Sequence, residues 1–384
     1  MRFEFATATS IVFGEGSVQQ VGPAAGAMGC RAVLVTGCPK ELAAGLMARL
    51  KASDVACLPF PVDGEPTLAV VREGLRLARQ ERADMVIGLG GGSAIDAGKA
   101  IAALLANGGD PLDYLEVIGR GERLRLRSAP LIAVPTTSGT GAEVTRNAVL
   151  GSPEHHVKAS LRSPLMLPRL AVVDPELTLE LPASITASTG LDALTQLIEP
   201  YVSLRANPMT DMFCLEGMRR AAGALLRVFL DGRDREARSD MALASLLGGL
   251  SLANAGLGAV HGFAAPVGGM FPAPHGAACA ALLPGVMDVN IRALRARAPE
   301  SERLRRYETI AQILTGRPEA CAEDGVEWVS RTCRQLQIPP LGSYGIEEQD
   351  VPALVEKAAQ ASSMQGNPIA LTPEELHEIL LRAL

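Results

Sequence analysis

Aromatic residues are scarce in this chain of 384 residues, at 3% with a single Trp. Sandwich and barrel cores lean on aromatic and β-branched side chains, so an all-β architecture is disfavoured. Cysteine is present but unpatterned: Cys30, Cys38, Cys57, Cys214, Cys279, Cys321 and Cys333 are odd in number and never form a CxxC pair. Such a set excludes a disulfide framework and a cysteine-type zinc motif, and reads as small hydrophobes in a reducing compartment. No block of positive charge stands out in a chain of net charge −6; Arg120–Arg127 is short and mixed with Glu122. That stretch reads as a solvated loop, and no nucleic-acid partner is expected. Clean apolar runs of roughly 18 residues are missing too, since Leu243–Leu257 is interrupted by Ser, Gly and Asn. The first residues lack the apolar segment of a signal peptide. The expectation is a cytoplasmic protein with no membrane partner.

What the chain does have is glycine, 39 residues of it, and an ordinary globular balance of 48% hydrophobic and 20% charged residues. Its length favours two domains. Apolar runs at Arg31–Thr36, Val55–Phe60, Asp84–Leu89, Pro130–Thr136 and Leu170–Asp174 predict buried strands. Between them, Lys40–Lys51, Thr67–Gln80 and Ala94–Leu105 have helical periodicity. Strand and helix alternating at this spacing predict an α/β N-terminal domain with a Rossmann-like parallel sheet. From Pro182 onward only helical patterns follow, predicting an all-α C-terminal domain. The boundary is expected within Asp174–Pro182, dividing the chain into residues 1–180 and 181–384.

Two loops invite a nucleotide. Asp84–Lys99 reads DMVIGLGGGSAIDAGK, an apolar strand passing through Gly90, Gly91, Gly92 and Ser93 into a helix. Glycines let a backbone approach a pyrophosphate, and the amides at a helix start bind its charge. The motif is neither a standard GxGxxG nor a Walker A loop, and alone it fits a plain tight turn equally well. Val134–Glu143, VPTTSGTGAE, puts a second Thr/Ser/Gly loop at the end of another strand. Open parallel sheets bind ligands at that carboxyl edge.

The helical half carries polar residues in apolar company. In GLDALTQLIEPYVS, Asp192 and Gln196 lie one turn apart, and a lone carboxylate there demands a partner or a cation. In VHGFAAPVGGMFPAPHGA, His261 and His275 are two of only five histidines. One Asp and two His suit Zn²⁺ or Fe²⁺, although isolated histidines are more often satisfied by backbone carbonyls. The pair His155-His156 reads as surface, and His377 as solvated in a terminal helix.

Taken in order, GGGSAIDAGKA, PTTSGTGAEVT, SPLMLPRLAVVDPELTLELP, TGLDALTQLIEPYVS and HGFAAPVGGMFPAPHG resemble the iron-containing alcohol dehydrogenases over nearly the whole chain. Glycerol dehydrogenase, maleylacetate reductase and dehydroquinate synthase share that fold. The resemblance implies a NAD(P)-dependent oxidoreductase interconverting a small alcohol and its aldehyde or ketone. Gly90, Gly91, Gly92, Ser93 and Asp96 would hold the pyrophosphate region. Thr136 and Thr137 would line the crevice, and Lys158 would lie near the nicotinamide. Asp192, His261 and His275 match three of four metal ligands, acting on the alcohol through Fe²⁺ or Zn²⁺.

Three positions depart from the family. The fourth ligand position, commonly His, is Gln196; the histidine that relays protons is replaced by Ala265; the Asp after the first strand is Gly37. Without that Asp, repulsion of a 2′-phosphate is relieved, so the expected lean is to NADP over NAD, with Lys40 nearby to neutralise the phosphate. The altered site leaves two rivals open: a metal-independent enzyme of the maleylacetate reductase type, and a nucleotide-binding protein without turnover. A homodimer is the expected assembly.

Overall fold

The computed structural model describes residues 2–155 and 157–384; His156 of the His155-His156 pair lies outside the described residues. Contacts within the chain divide it into two units. One comprises Phe5–Thr137 and Gly141–Leu179, and the other is built on Glu180–Leu384 and takes in Ser138–Thr140.

The first unit is α/β. Strands β1 (Ser10–Phe13), β2 (Arg31–Gly37), β3 (Ala56–Pro61), β4 (Met85–Gly90), β5 (Leu131–Pro135) and β8 (Leu170–Val173) form one sheet. Their order is β1-β8-β5-β4-β2-β3, and every pairing is parallel. Helices α1 (Val21–Gly26), α2 (Lys40–Ala52), α3 (Leu68–Gln80), α4 (Gly92–Asn107) and the short α5 (Pro111–Tyr114) make the connections. Alternate side chains of each strand point to opposite faces. Leu34, Met85, Ile87 and Leu89 accordingly join a core with α1 and α2 residues such as Val21 and Leu46. Val33, Val35 and Val86 join a second core with Val71, Leu75 and Ile101 of α3 and α4. Burial on both faces is why the strands read as continuous apolar runs.

Strands β6 (Asn147–Ser152) and β7 (Val157–Arg162), which the apolar runs do not reveal, form an antiparallel hairpin. They are only half-buried and mix polar with apolar residues, so no continuous apolar run marks them. The hairpin is tied to α4 by a buried ammonium. Lys99 has no exposed surface; its Nζ donates to Thr145 Oγ1 (2.7 Å), the Asn147 carbonyl (2.8 Å) and Asp96 Oδ1 (3.2 Å). All three ammonium protons are therefore used.

The second unit is helical. Helices α6 (Ala183–Val202), α7 (Pro208–Leu230), α8 (Arg235–Ala255), α9 (Ala259–Met270) and α10 (His275–Arg297) precede α11 (Glu302–Thr315), α12 (Ala322–Gln335), α13 (Val351–Gln360) and α14 (Pro373–Ala383). By length and composition α10 is apolar enough to cross a membrane, yet 72% of its apolar window is buried inside the fold, as befits a core helix. Helices α6, α9 and α10 each contain a proline: Pro200, Pro266 and Pro284. A proline removes the hydrogen bond to the carbonyl four residues back. The Ala280 carbonyl freed in this way accepts from Cys333 Sγ at 3.4 Å.

Glu143, 2% exposed, sits beside the Lys99 cluster. Burial pushes its carboxyl up to about 7, against the opposing pull of Lys99. The folded state therefore holds a proton that the unfolded chain has released above the ordinary 4.5. Stability from this group is fully present below that value and is lost as pH rises through about 7. Glu143→Gln should stabilise the protein by up to about 3 kcal/mol at about pH 8 and have little effect near pH 5. Urea unfolding at the two pH values reads the difference.

Candidate functional site

Three helices of the second unit bring four donor atoms together. Asp192 lies in the middle of α6, His261 in the first turn of α9, and His275 opens α10 with Cys279 one turn later. The first turn of α10 can approach α6 because residue 276 is glycine: a Cβ there would meet the Ser188 carbonyl oxygen at 2.6 Å. Nε2 of His261 and of His275 lie 3.5 and 3.8 Å from Asp192 Oδ1. Cys279 Sγ is 3.9 and 3.7 Å from the same two nitrogens. All four donors fall within 4.8 Å of one another.

These separations are too long for hydrogen bonds of N–H to O, and Asp192 Oδ1 is a buried acceptor without a partner. Bonds of about 2.0–2.3 Å to a tetrahedral ion would hold donors roughly 3.3–3.8 Å apart. The cluster has nearly that spacing, so a divalent cation fits the donor set. His275 retains 35% of its side-chain surface, and solvent reaches the cluster from its side.

Behind the donors stands Glu199, two turns along α6 from Asp192 and 5% exposed. Its Oε2 lies 2.6 Å from His261 Nδ1, and its Oε1 accepts from the Val260 amide at 2.7 Å. The adjacent Ala259 amide donates to Asn367 Oδ1. Gly258 offers α9 no side-chain cap, so these two residues satisfy orphan amides of the first turn and set the helix rotation that aims His261. A carboxylate on Nδ1–H also fixes the tautomer that leaves Nε2 free for a cation.

Charge in the cluster is strongly coupled. Burial disfavours a charged His261, but Cys279, Glu199 and Asp192 outweigh it and raise the imidazole well above the ordinary value. Cys279, and then Asp192, raise His275 to about 9 despite the opposing effect of burial. Burial pushes Asp192 up, yet the two imidazoles and the Gln196 amide hold it below the usual range. The acidic neighbours thus favour positive charge at the two imidazoles, where a cation would be held.

Gln196, one turn from Asp192, is buried; its Nε2 donates to the Gly139 carbonyl at 3.2 Å and its Oε1 has no partner. Ala265 lies on α9 one turn beyond His261 and offers no proton acceptor.

The nucleotide motifs lie at the carboxyl edge of the sheet. The chain passes from β2 outward to β3, then returns to pair β4 on the other side of β2, creating a topological switch point between β2 and β4. Gly37 and Gly90 end these strands and are register partners. A Cβ on Gly90 would sit 2.9 Å from the Gly37 nitrogen, and one on Gly37 would sit 3.1 Å from Ala94 Cβ. The space over Gly37 is narrower than a bare glycine suggests. Gly91 caps α4, which begins at Gly92 and includes Ser93. A Cβ on Gly91 would touch Thr137, while the Thr136 amide donates to the Gly90 carbonyl at 2.9 Å, so the two loops lie against each other. Asp96 is turned inward: it accepts from the Val149 amide at 3.0 Å and pairs with Lys99. Lys158, on β7, pairs with Glu65 at 2.8 Å. His155 is exposed, with Nδ1 2.7 Å from Ser152 Oγ.

Cys279 and Glu199 escape the sequence reading. Each had a usable signal: Cys279 follows His275 at the one-turn spacing of a shared helix face, and Glu199 is an acid in an apolar helix. Cys279, read with the other cysteines as a small hydrophobe, is buried and lies among the candidate ligands.

Comparison with known proteins follows the same division. Residues 8–175 match the family model described as iron-containing alcohol dehydrogenase, and residues 186–384 match that for the C-terminal part of the family. Alcohol dehydrogenase 4 of Schizosaccharomyces pombe is 36% identical, covering 97% of this chain and 87% of the relative. A crystal structure of 1,3-propanediol oxidoreductase superposes with a TM-score of 0.92 at 32% identity, covering 100% of both chains. Alcohol dehydrogenase from Oenococcus oeni gives a TM-score of 0.92 at 31% identity, again covering 100% of both.

Glu199→Gln retains an acceptor for Val260 but removes the charge facing His261. Zinc affinity should fall about 10–100-fold, the usual loss on removing a carboxylate behind a histidine ligand. Titration against a chromogenic chelator checks this, and unchanged affinity would exclude the orienting role.

Proposed function

The chain belongs to the iron-containing alcohol dehydrogenase family, and on that footing we propose how its residues serve NAD(P)-dependent alcohol oxidation. Asp192, His261 and His275 hold the divalent cation; the observation that carries this reading is the unpartnered Asp192 Oδ1 facing both Nε2 atoms. When bound, the cation supplies Lewis acidity at the alcohol oxygen. Glu199 holds His261 with Nε2 presented, and the exposed side of His275 leaves the cluster accessible to a small alcohol. The backbone of Gly90, Gly91, Gly92 and Ser93 receives the pyrophosphate at the start of α4. Thr136 and Thr137 line the bound dinucleotide, and Lys158 lies toward its nicotinamide end. Asp96 supports this loop from behind through Lys99 and the Val149 amide. Because Ala265 carries no base, the alcohol proton leaves through water or a ribose hydroxyl.

The substrate class we favour is a short-chain alcohol or diol, by likeness to the 1,3-propanediol enzyme. Seven free cysteines suit a reducing, cytoplasmic setting. A panel of alcohols and aldehydes, followed by NAD(P)H absorbance, should show turnover that chelation abolishes and added metal restores. Full turnover by metal-free protein would favour the maleylacetate reductase type instead.

For the nucleotide we propose a preference for NADP. Gly37 presents no carboxylate at the end of β2, and the exposed Lys40 opens α2 beside it. A charged hydrogen bond contributes about 1.5–3 kcal/mol, so Lys40→Glu should lower kcat/KM for NADP by about tenfold or more and leave NAD nearly unchanged. Equal losses with both nucleotides would refute the assignment.

A further inference from the structure

We propose that Cys279 Sγ is the fourth metal ligand of this site, taking the part that Gln196 does not fill, and that the resulting donor set selects Zn²⁺ over Fe²⁺. The inference rests on the reading that Asp192, His261 and His275 hold a cation.

Geometry carries the first half. Cys279 Sγ faces the same two Nε2 atoms as Asp192 Oδ1, at 3.9 and 3.7 Å, and its residue has no exposed surface. Its one-turn spacing from His275 puts both donors on one face of α10. Several other thiols have unrelated partners: Cys30 donates to Asp84, Cys321 to Asp324 and Cys333 to the Ala280 carbonyl. Gln196 has a buried Oε1 without a partner, but it is a neutral amide whose Nε2 is tied to the Gly139 carbonyl, and its oxygen is a harder, weaker donor than a thiolate.

Softness carries the second half. Imidazole and carboxylate accept either metal, and zinc already binds such donors more tightly than Fe²⁺. A thiolate is the softer donor and widens that margin. Four protein donors would thus be kept, with sulfur in place of one imidazole.

The test is spectroscopic. Co²⁺-loaded wild-type protein should show the near-ultraviolet charge-transfer band of a thiolate ligand. Cys279→Ser should still bind Co²⁺ but lose the band, and Gln196→Ala should retain it. Zn²⁺ affinity should drop at least tenfold in Cys279→Ser, no less than on loss of a residue behind a ligand. Metal-stripped wild-type protein offered equal Zn²⁺ and Fe²⁺ without oxygen should recover zinc. Should Cys279→Ser not fold, X-ray absorption of zinc-loaded wild-type protein must reveal one sulfur neighbour. Stoichiometric Co²⁺ without the band, or zinc with only nitrogen and oxygen neighbours, overturns the role of Cys279 and leaves the Asp192–His261–His275 site standing. Uptake of iron over zinc overturns the selectivity. No binding of any of these ions by wild-type protein overturns the site as well.

Discussion

A single buried carboxylate, that of Glu199, organises the candidate metal site. It touches α9 twice, at the Val260 amide and at His261 Nδ1, from a position on the same helix as Asp192. The backbone contact fixes where α9 begins, and the ring contact fixes which way His261 looks. Burying that carboxylate is unfavourable unless positive charge is close by. A cation held by the candidate ligands would supply it. Helix placement, tautomer choice and charge balance thus share one origin.

The α/β unit rests on a comparable arrangement with opposite sign. There the buried charge is Lys99, whose three protons go to Asp96 on the same helix, to Thr145 and to the Asn147 carbonyl at the start of the β6–β7 hairpin. Asp96 belongs to the motif proposed to receive the nucleotide, yet its carboxylate is spent inward. A conspicuous acid in a cofactor motif can shape a loop without touching the ligand. On that proposal the glycines ahead of it, lacking side chains, would be left to face the phosphates.

Much of this was legible in the residues because burial punishes isolated polar groups. Asp192, His261 and His275 stand out from apolar neighbours, and the strands read plainly because both faces of the sheet are covered. Glu199 obeys the same logic but sits far along the helix from the obvious ligand, where no local pattern joins it to His261. Cys279 was obscured because cysteine spacing rules look for other cysteines, while its partners come from α6 and α9 as well as its own helix. The β6–β7 hairpin was hidden by half-burial, and the inward turn of Asp96 by the absence of any sequence sign that Lys99 would be buried whole.

The contact between Gly37 and Gly90 bears on how such a protein can change its habits over evolutionary time. Residue 37 is where a Rossmann-like fold ordinarily writes its choice of nucleotide. Here that position is pressed against Ala94, while its register partner has a would-be Cβ almost on the Gly37 nitrogen. A side chain at 37 would press on Ala94 in the first turn of α4, which would have to yield by a few tenths of an ångström. Change in the first turn of α2 meets no such neighbour: Lys40 and Glu41 are exposed and can vary without disturbing the sheet, so that turn is the freer place for a nucleotide preference to drift.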